Sequence, residues 1–337
     1  MLYRMDSMRI KIIKPGVLST IQDMGRHLYL EQAVPVSGAM DTLSARMANM
    51  ALGNDDTAAV IEFTYAGAQF EAETDLLIAW SGNGAVLAAN DKKIAADRPV
   101  FIPKGTIVNL NSKPDGSHTY LAVASGWNVP EVLGSRSTYI PAAIGGLQGR
   151  ALLAGDVLDA RANIHPLTKN ILKNLKGLDI SYPTWSLHRE HLLPADKRLI
   201  RVMPAHEFTW FDGPSLIGFL SEPYTLSLQS NRMGYHLEGV VINRLVKDEL
   251  LSTAVAPGTI QVTGNGKMIL LMADCQTTGG YPRIAQVAVV DMPLCGQLKP
   301  GDTIRFEEIS RHEAEMLYIE REKKLSTLKN AVGHKFL

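Results

Sequence analysis

Short β-rich runs, separated by turn-forming residues, dominate the sequence and limit the fold classes open to it. Examples are RIKIIKPG, DLLIAWSGNGAVLAAND, RPVFIPKGTIVNLNS and HTYLAVASGW, which are interrupted by Gly, Asn, Asp and Pro. Punctuated runs of this kind are typical of short strands joined by tight turns. The sequence therefore predicts a mainly β protein with a few helices.

Two segments break the strand pattern and predict helices. In SGAMDTLSARMANMALGND, Asp41 or Ser44 can cap the helix, apolar residues follow at helical spacing, and Gly53 ends it. In SRHEAEMLYIEREKKLSTLKN, near the C-terminus, Ser310 and Glu313 form a capping-box pair.

The two halves of the chain repeat short motifs. STIQDMGR in the first half resembles LSLQSNRMGY in the second, and Leu-x-x-Gly-Asp occurs at residues 152–156 and again at 298–302. The second motif is typical of a tight turn that leads into a closing strand. This repetition favours two related domains. The predicted divisions are a first domain at 1–165, a linker region at 166–197, a second domain at 198–308 and a C-terminal helical tail at 309–337.

Composition narrows the class of protein and its partners. A chain of 337 residues is long enough for two domains of ordinary size. Lys plus Arg and Asp plus Glu both number 34, so no net charge draws the chain to nucleic acid or to a membrane surface. Two cysteines without CxxC spacing are too few for a disulfide framework, and no apolar run could span a membrane. We expect a cytoplasmic protein with protein or small-molecule partners.

Dense polar motifs beside glycines are the candidate binding loops. They are PVSGAMD (35–41), GSRSTY (134–139), SNRMGY (230–235) and DCQTTGGYPRI (274–284). Glycine lets the backbone approach a ligand closely, while Ser, Thr, Asn, Gln and Arg supply donors. Such loops suit carboxylate, phosphate or amide recognition, but each taken alone can equally be a strand-ending turn.

Charged side chains in and near these loops have two alternative roles. A planar guanidinium binds a carboxylate or phosphate through two hydrogen bonds, or it braces its own loop. A carboxylate acts as a general acid or base, or it neutralises an arginine. The sequence leaves both alternatives open for Arg26, Arg136, Arg232 and Arg283 and for Asp23, Asp41, Glu62 and Asp274.

Standard catalytic signatures are missing. TGNGKM lacks the spacing of a phosphate-binding loop and the hydroxyl residue after Lys267, so a hairpin turn at Gly264–Gly266 is predicted. HREH (188–191) does not have the spacing of a zinc motif, and no metal site is predicted. Cys275 is predicted to be a small buried thiol. No Met-Lys-Met biotin-attachment motif is found, so any biotin must be carried on another chain.

Six motifs, in their order along about residues 9–308, resemble a known family called allophanate hydrolase subunit 2 or biotin-dependent carboxyltransferase. They are STIQDMGR, VPVSGAMD, GSRSTY, SNRMGYHLEG, GTIQVTGNG and DCQTTGGYP. The resemblance implies two tandem cyclophilin-like β-barrel domains. The C-terminal helix lies outside the match and could serve as an oligomer contact or as a lid on a barrel.

The same resemblance implies a function. It predicts the C subunit of an ATP-dependent 5-oxoprolinase, which acts with a KipI-like B subunit (allophanate hydrolase subunit 1 type) and an A subunit to hydrolyse 5-oxoproline to glutamate. ATP would be used by the assembled complex. The alternatives are half of a biotin-dependent carboxyltransferase of the urea and allophanate pathway, or a non-catalytic regulatory binding protein of KipA type.

The resemblance also suggests roles for residues in the polar motifs. The arginines would bind the substrate carboxylate or a phosphorylated intermediate, and the aspartates would orient the arginines or move protons. The predicted catalytic residues are Asp23, Asp41, Arg136 and Arg232. The predicted substrate-binding residues are Arg26, Ser37, Ser135, Ser137, Asn231, Gln276, Thr277, Thr278 and Tyr281. One departure is ASGWN, where Ser125 precedes Gly126 in place of the Gly-Gly pair of many relatives and could alter a nearby pocket.

Overall fold

The structure is a computed structural model that describes residues 7–113, 115–246 and 249–335. The predicted mainly β class is confirmed, and a long helix follows the last strand. Two compact units share the chain. The first draws on Met1–Gly25, Asp41–Arg189 and Lys324–Leu337, and the second on Arg26–Met40 and Glu190–Lys323.

Two antiparallel sheets form the frame of the first unit. Their strands are β1 (Arg9–Pro15), β2 (Leu18–Gln22), β3 (Val60–Thr64), β4 (Ala68–Ala72), β5 (Leu76–Gly82), β6 (Ala85–Ala89), β7 (Lys92–Lys93), β8 (Val100–Ile102), β9 (Ile107–Ser112), β10 (His118–Val123) and β11 (Val157–Asp159). One sheet has the order β11-β1-β4-β9-β6-β7 and the other β2-β3-β10-β5-β8. Every residue of β5 and β10 is buried, which places these two strands in the core.

Helix α1 (Thr42–Ala51) packs on the second of these sheets. Of the two predicted cap residues, Asp41 is the one that caps, because its carboxylate accepts the N–H of Ser44 at 2.9 Å. The helix ends at Ala51, Leu52 is its C-cap, and Gly53 follows with a φ of +68°. This left-handed residue closes the helix as the sequence predicts.

Helix α2 (Pro166–Leu175) lies in the segment predicted as a linker and groups with the first unit. Proline at the first turn suits a helix start because that position needs no N–H donor. The helix buries Thr168, Ile171 and Leu172, which lie on one face, and the Thr168 hydroxyl donates to the Leu52 carbonyl at 2.8 Å. The segment is therefore part of a folded unit.

The second unit contains a closed barrel of seven strands. Its strands are β12 (Leu199–Pro204), β13 (Tyr224–Leu226), β14 (Gly234–Glu238), β16 (Thr259–Val262), β17 (Met268–Leu271), β19 (Arg283–Val287) and β20 (Thr303–Glu308), and a separate short pair joins β15 (Thr253–Ala254) to β18 (Thr278–Gly279). The barrel order is β12-β19-β16-β17-β14-β13-β20. Only β12 and β20 pair in parallel; the other barrel pairs among the described residues are antiparallel.

Aromatic side chains and two short helices complete the second unit. The helices are α3 (Gly213–Ser221) and α4 (Met292–Cys295). Phe219 of α3 stacks on Phe306 of β20 with 4.8 Å between ring centroids, and Tyr224 packs against both rings. All three side chains are buried, so they anchor α3 to the barrel.

The repeated Leu-x-x-Gly-Asp motifs form the same turn in each unit. The Asp156 carboxylate accepts the N–H of Leu153 at 2.7 Å, and the Asp302 carboxylate accepts the N–H of Lys299 at 3.0 Å. The glycine before each aspartate has a positive φ, +93° in the first turn and +88° in the second. Each turn leads directly into a strand, β11 or β20, as predicted.

The C-terminal helix α5 (Arg311–His334) starts with the predicted capping box. Glu313 accepts the N–H of Ser310 at 2.7 Å, and the Ser310 hydroxyl accepts the N–H of Glu313 at 3.1 Å. None of the helices in the described part of the chain is both long enough and apolar enough to cross a membrane.

Candidate functional site

Asp23 organises the candidate loop of the first unit. It follows β2 directly and is buried. Its carboxylate accepts the hydroxyls of Ser135 at 2.6 Å and Ser137 at 2.5 Å, and the backbone N–H groups of Arg136 at 2.6 Å and Gly25 at 2.9 Å. Four of the predicted site residues are thus brought together. Asp23 orients Arg136 through its backbone and not through its guanidinium.

The guanidinium of Arg136 lies at the edge of this loop and is only partly engaged. Its Nη2 lies 2.8 Å from a carboxylate oxygen of Glu131, a side chain that is half exposed. Its Nε is buried and has no hydrogen-bond partner among the described residues. A donor of this kind can still bind an anion.

Arg161 feels the charge of Arg136, and its backbone contacts the turn that contains Ser125. The N–H of Ser125 donates to Asn54 Oδ1 at 2.8 Å, and the N–H of Arg161 donates to the carbonyl of Gly126 at 3.0 Å. Burial, followed by the positive charge of Arg136, lowers the pKa of Arg161. Neither residue was assigned to the site from the sequence. The ASGWN departure pointed to Ser125, whereas Arg161 lies in none of the polar motifs.

Asp41 belongs to a different, buried network in the first unit. Besides accepting the Ser44 N–H, its carboxylate accepts the Ser44 hydroxyl at 2.5 Å and lies 3.8 Å from Arg189. Its backbone N–H donates to the hydroxyl of Tyr120 at 2.7 Å, and that hydroxyl donates to Glu62 at 2.8 Å. Burial, then the charges of Glu62 and Asp41, raise the pKa of Tyr120 well above its ordinary value. This geometry is that of a helix cap within a core network.

Arg232 braces the PVSGAMD loop of the second unit. Its guanidinium makes two hydrogen bonds to the Asp274 carboxylate, at 2.8 and 3.1 Å, and donates to the carbonyl of Gly38 at 2.7 Å. The side chains of Arg232 and Asp274 are only 10% and 8% exposed. Arg232 and Asp274 therefore form a bidentate pair that joins the SNRMGY, DCQTTGG and PVSGAMD loops.

Arg26 and Ser37 are the other predicted residues of this part of the second unit, and both are buried. The N–H of Arg26 donates to the Val36 carbonyl at 2.7 Å. Ser37 has a φ of +56°, and its hydroxyl is buried without a hydrogen-bond partner in the described structure. A left-handed serine next to a glycine marks a sharply bent loop that holds a spare donor.

The remaining predicted residues lie in two loops of the second unit. Asn231 accepts the N–H of Met233 at 2.8 Å, so it stabilises the turn before β14. In the loop after Asp274, Thr277 is buried and its carbonyl accepts the N–H of Val255 at 3.0 Å. Gln276, Thr278 and Tyr281 in this segment are exposed. Their side chains are accessible to a ligand or a partner chain.

The two motifs that look alike in sequence differ in local structure. STIQDMGR places Asp23 after β2, and β2 pairs with β3 only after the chain has passed through α1. SNRMGY spans the end of the loop after β13 and the start of its paired strand β14. Despite their similar sequences, the two motifs therefore do not occupy structurally equivalent positions.

Two other motif residues have defined surroundings within the second unit. Burial, and after it the charge of Asp274, raise the pKa of Cys275 to about 12, so its thiol stays protonated. Arg283 makes two hydrogen bonds of 2.7 Å to the carboxylate of Glu207. Within the ranges that the structure describes, no three His, Cys, Asp or Glu residues are grouped as a metal site would need.

Comparison with known proteins places this geometry in a family. Residues 32–308 match the family model for the carboxyltransferase domain, subdomain A and B. The chain is 37% identical to the C subunit of 5-oxoprolinase from Escherichia coli (strain K12) over 305 residues, which cover 90% of this chain and 93% of that protein. It is 33% identical to the C subunit of 5-oxoprolinase from Haemophilus influenzae over 327 residues, which cover 97% of this chain and 99% of that protein.

A solved structure shows the same fold within a longer protein. The crystal structure of the K. lactis urea amidolyase superposes with a TM-score of 0.83 at 28% identity. The match covers 97% of this chain and 20% of the amidolyase chain, so this chain spans about a fifth of that protein. From the family match and the two 5-oxoprolinase relatives, we conclude that the chain belongs to the carboxyltransferase domain family, subdomains A and B.

Proposed function

We propose that this protein is the C subunit of an ATP-dependent 5-oxoprolinase that hydrolyses 5-oxoproline to glutamate. It would act with a KipI-like B subunit and an A subunit, in a cytoplasmic complex. The observation that carries the proposal is the end-to-end match to two 5-oxoprolinase C subunits, of which 93% and 99% are covered. A match to a domain of a larger enzyme would leave most of that enzyme uncovered.

The side chains of this chain suit a role in binding and orienting the substrate. Opening an amide ring needs donors aimed at the developing oxyanion and a fixed position for the rest of the substrate. Arg136 offers a guanidinium at the edge of a loop that Asp23 holds in place. Arg232 is already paired with Asp274, so its part in the proposal is to shape the loop around Gly38.

The complex would use ATP, but TGNGKM does not form a phosphate-binding loop for it. That segment is a hairpin between β16 and β17, where the N–H of Thr263 donates to the Lys267 carbonyl at 2.9 Å. A phosphate-binding loop instead leads from a strand into a helix, whose N-terminus faces the phosphates. This hairpin is therefore not an ATP-binding element.

The test is an omission assay on the purified complex. ADP and glutamate release from 5-oxoproline and ATP are measured with this chain and its B and A partners together, and with each omitted in turn. Turnover that disappears without this chain supports the proposal. Arg136→Gln in the complete complex is expected to raise KM, while Arg9→Gln, an exposed arginine of the same unit, serves as the control. Full turnover without this chain would overturn the proposal.

A second candidate is biotin-dependent carboxyl transfer to urea or a related small amide. The specific observation in its favour is the superposition on the urea amidolyase structure, which covers 97% of this chain. In that case biotin would be carried on another chain. Transfer of a carboxyl group from carboxybiotin to urea, with no glutamate formed from 5-oxoproline, would favour this candidate.

A further inference from the structure

Several polar side-chain atoms of the first unit are buried and have no hydrogen-bond partner among the described residues. They include Ser125 Oγ, Arg136 Nε and Arg161 Nη2. Leaving a buried donor unsatisfied is costly, and native structures rarely tolerate it without a reason. Two of these atoms are on arginines whose charges act on each other, so an unsatisfied donor on both is the observation to explain.

Backbone contacts hold Arg161 beside the turn that contains Ser125. The N–H of Arg161 donates to the Gly126 carbonyl at 3.0 Å, and Trp127 and Ala160 pair as an isolated bridge. The φ of Ser125 is +74°, a conformation that serine rarely adopts, and the bond from its N–H to Asn54 helps to maintain it. Strain of this kind is concentrated at ligand-binding sites.

The charges around Arg161 also suit an anion. Burial and the positive charge of Arg136 lower the pKa of Arg161, whereas Glu131 and Asp55 act in the opposite direction. Two guanidinium groups that repel each other are stabilised by a negative ligand. The Glu131 carboxylate is half exposed and lies 2.8 Å from Arg136 Nη2. A carboxylate therefore fits beside the guanidinium of Arg136.

We propose that Ser125, Arg136 and Arg161 form an anion-binding subsite that takes the carboxylate of a small organic acid. All three residues are partly exposed, which places the subsite at the surface of the first unit. Because Glu131 and Asp55 already offset part of the positive charge, a singly charged carboxylate fits better than a polyphosphate. Only the identity of the acid, 5-oxoproline, rests on the proposed function.

The first experiment observes the arginine Nε–H groups of the full chain, labelled with ¹⁵N-arginine, by NMR. 5-Oxoproline is titrated in, and its uncharged amide and inorganic phosphate are titrated separately. We expect the signals of Arg136 and Arg161 to move with 5-oxoproline and not with the amide. The signal of Arg150, which is already paired with Asp156, should stay in place. Movement with phosphate alone would overturn the carboxylate assignment.

Variants then test each member of the subsite. Arg161→Gln is expected to weaken 5-oxoproline binding about tenfold or more, since it removes a charge-assisted hydrogen bond. Ser125→Gly removes the hydroxyl yet suits the left-handed backbone, and it should weaken binding a few fold. Glu131→Gln removes the competing carboxylate and should strengthen binding. Arg9→Gln, on the surface of the same unit, should leave binding unchanged.

The same variants separate this proposal from the proposed function. If the assembled complex hydrolyses 5-oxoproline and Arg161→Gln changes neither its KM nor the binding measured by NMR, the subsite is wrong and the function stands. If no 5-oxoproline is hydrolysed but small carboxylic acids still bind in a manner that depends on Arg161, the function is wrong and the subsite stands. Equal binding by wild type and by both Arg161→Gln and Ser125→Gly would overturn the subsite.

Discussion

Asp23 accepts hydrogen bonds from groups that lie more than a hundred residues apart in the sequence. Ser135 and Ser137 reach it from the GSRSTY loop, and Gly25 from its own turn. A single buried carboxylate thereby fixes the position of Arg136. A structural role and an effect on substrate binding are coupled at this residue, so stability and activity have to be measured together.

Asp23→Asn is expected to reduce the free energy of unfolding by about 2–3 kcal/mol, because the amide keeps one acceptor oxygen and turns an N–H₂ group toward donors. Urea denaturation measures the change. Asp179→Asn, on an exposed aspartate, should shift the midpoint very little. A variant with wild-type stability and no activity would contradict the organising role and favour a direct catalytic one.

Glu207 provides a pH-dependent contribution to stability. Hydrogen bonds from the Arg283 side chain, the leading cause, lower the pKa of Glu207 below its ordinary value of 4.5, although burial opposes this. A carboxylate with a lowered pKa in the folded state stabilises the fold above its unfolded pKa. It loses that contribution as the pH falls through its folded pKa.

Glu207→Gln should therefore be less stable than the wild type at pH 7, and the difference should shrink as the pH falls below about 4.5. Thermal unfolding at a series of pH values measures it. Glu222→Gln, an exposed residue of the same unit, serves as a control. A difference that is constant down to pH 3 would mean that the ion pair with Arg283 does not cause the loss.

The roles of individual residues were predictable from the sequence where a motif indicated a bent polar loop, and not elsewhere. GSRSTY and DCQTTGG contain residues that do cluster with Asp23 or Arg232, because glycine and hydroxyl residues mark bent loops in any sequence. Which donor meets which carboxylate depends on strand pairing, as with Asp23 and Ser137. Arg161 carries no local signal, since only the pairing of its backbone with Gly126 brings it to the site.

At the scale of elements, the repeated Leu-x-x-Gly-Asp turn is the clearest common feature of the two units. In both turns the aspartate accepts an N–H three residues earlier and the glycine is left-handed. A Cβ added to Gly155 or to Gly301 would meet no atom within 4 Å. Substitution at either glycine therefore tests the backbone conformation alone.

Gly155→Ala and Gly301→Ala should each reduce the free energy of unfolding by about 1–2 kcal/mol, because an L-residue is disfavoured at this φ. The two reductions should be similar. Gly213→Ala, in the first turn of α3, has the same open space without a positive φ and should be neutral or slightly stabilising. Urea denaturation of the three variants decides the matter. Equal effects at all three positions would rule out the turn conformation as the cause.

Elements with strong local signals were predicted well. The caps of α1 and α5 and the hairpin at Gly264–Gly266 follow from local residue chemistry. Helix α2 had a weaker signal, because its buried face is short and takes effect only when the helix packs within the first unit. Sheet order has no local signal at all: β1 pairs with β11, which lies about 150 residues later.

At the scale of the whole molecule, the two units are not consecutive along the chain. Residues 26–40 group with the second unit, and residues from Lys324 onward group with the first. The sequence pattern predicts domains that follow one another along the chain. A local stretch of sequence indicates strands and helices, but it does not indicate which distant strand each one pairs with. The family match, which ends at residue 308, also leaves α5 outside it.

The last three turns of α5 therefore have a specific structural role to test. Leu325 and Val332 are each only 2% exposed and lie seven residues apart, so they share one face of the helix. Lys329, on a more exposed part of the same stretch, pairs with Asp56 of the first unit at 3.1 Å. The burial indicates that packing, and not this ion pair, holds the end of the helix.

Leu325→Ala is expected to cost about 2–4 kcal/mol by removing a buried side chain, whereas Lys329→Ala should cost less than about 1 kcal/mol because its ion pair is exposed. Urea denaturation gives the free energies, and hydrogen exchange shows which segments open. In Leu325→Ala, exchange should rise in residues 324–335 and in the first unit, to which this stretch belongs. If Lys329→Ala cost as much stability as Leu325→Ala, the ion pair would hold the end of the helix. The cost of Lys329→Ala would then shrink at high salt, which screens exposed charges.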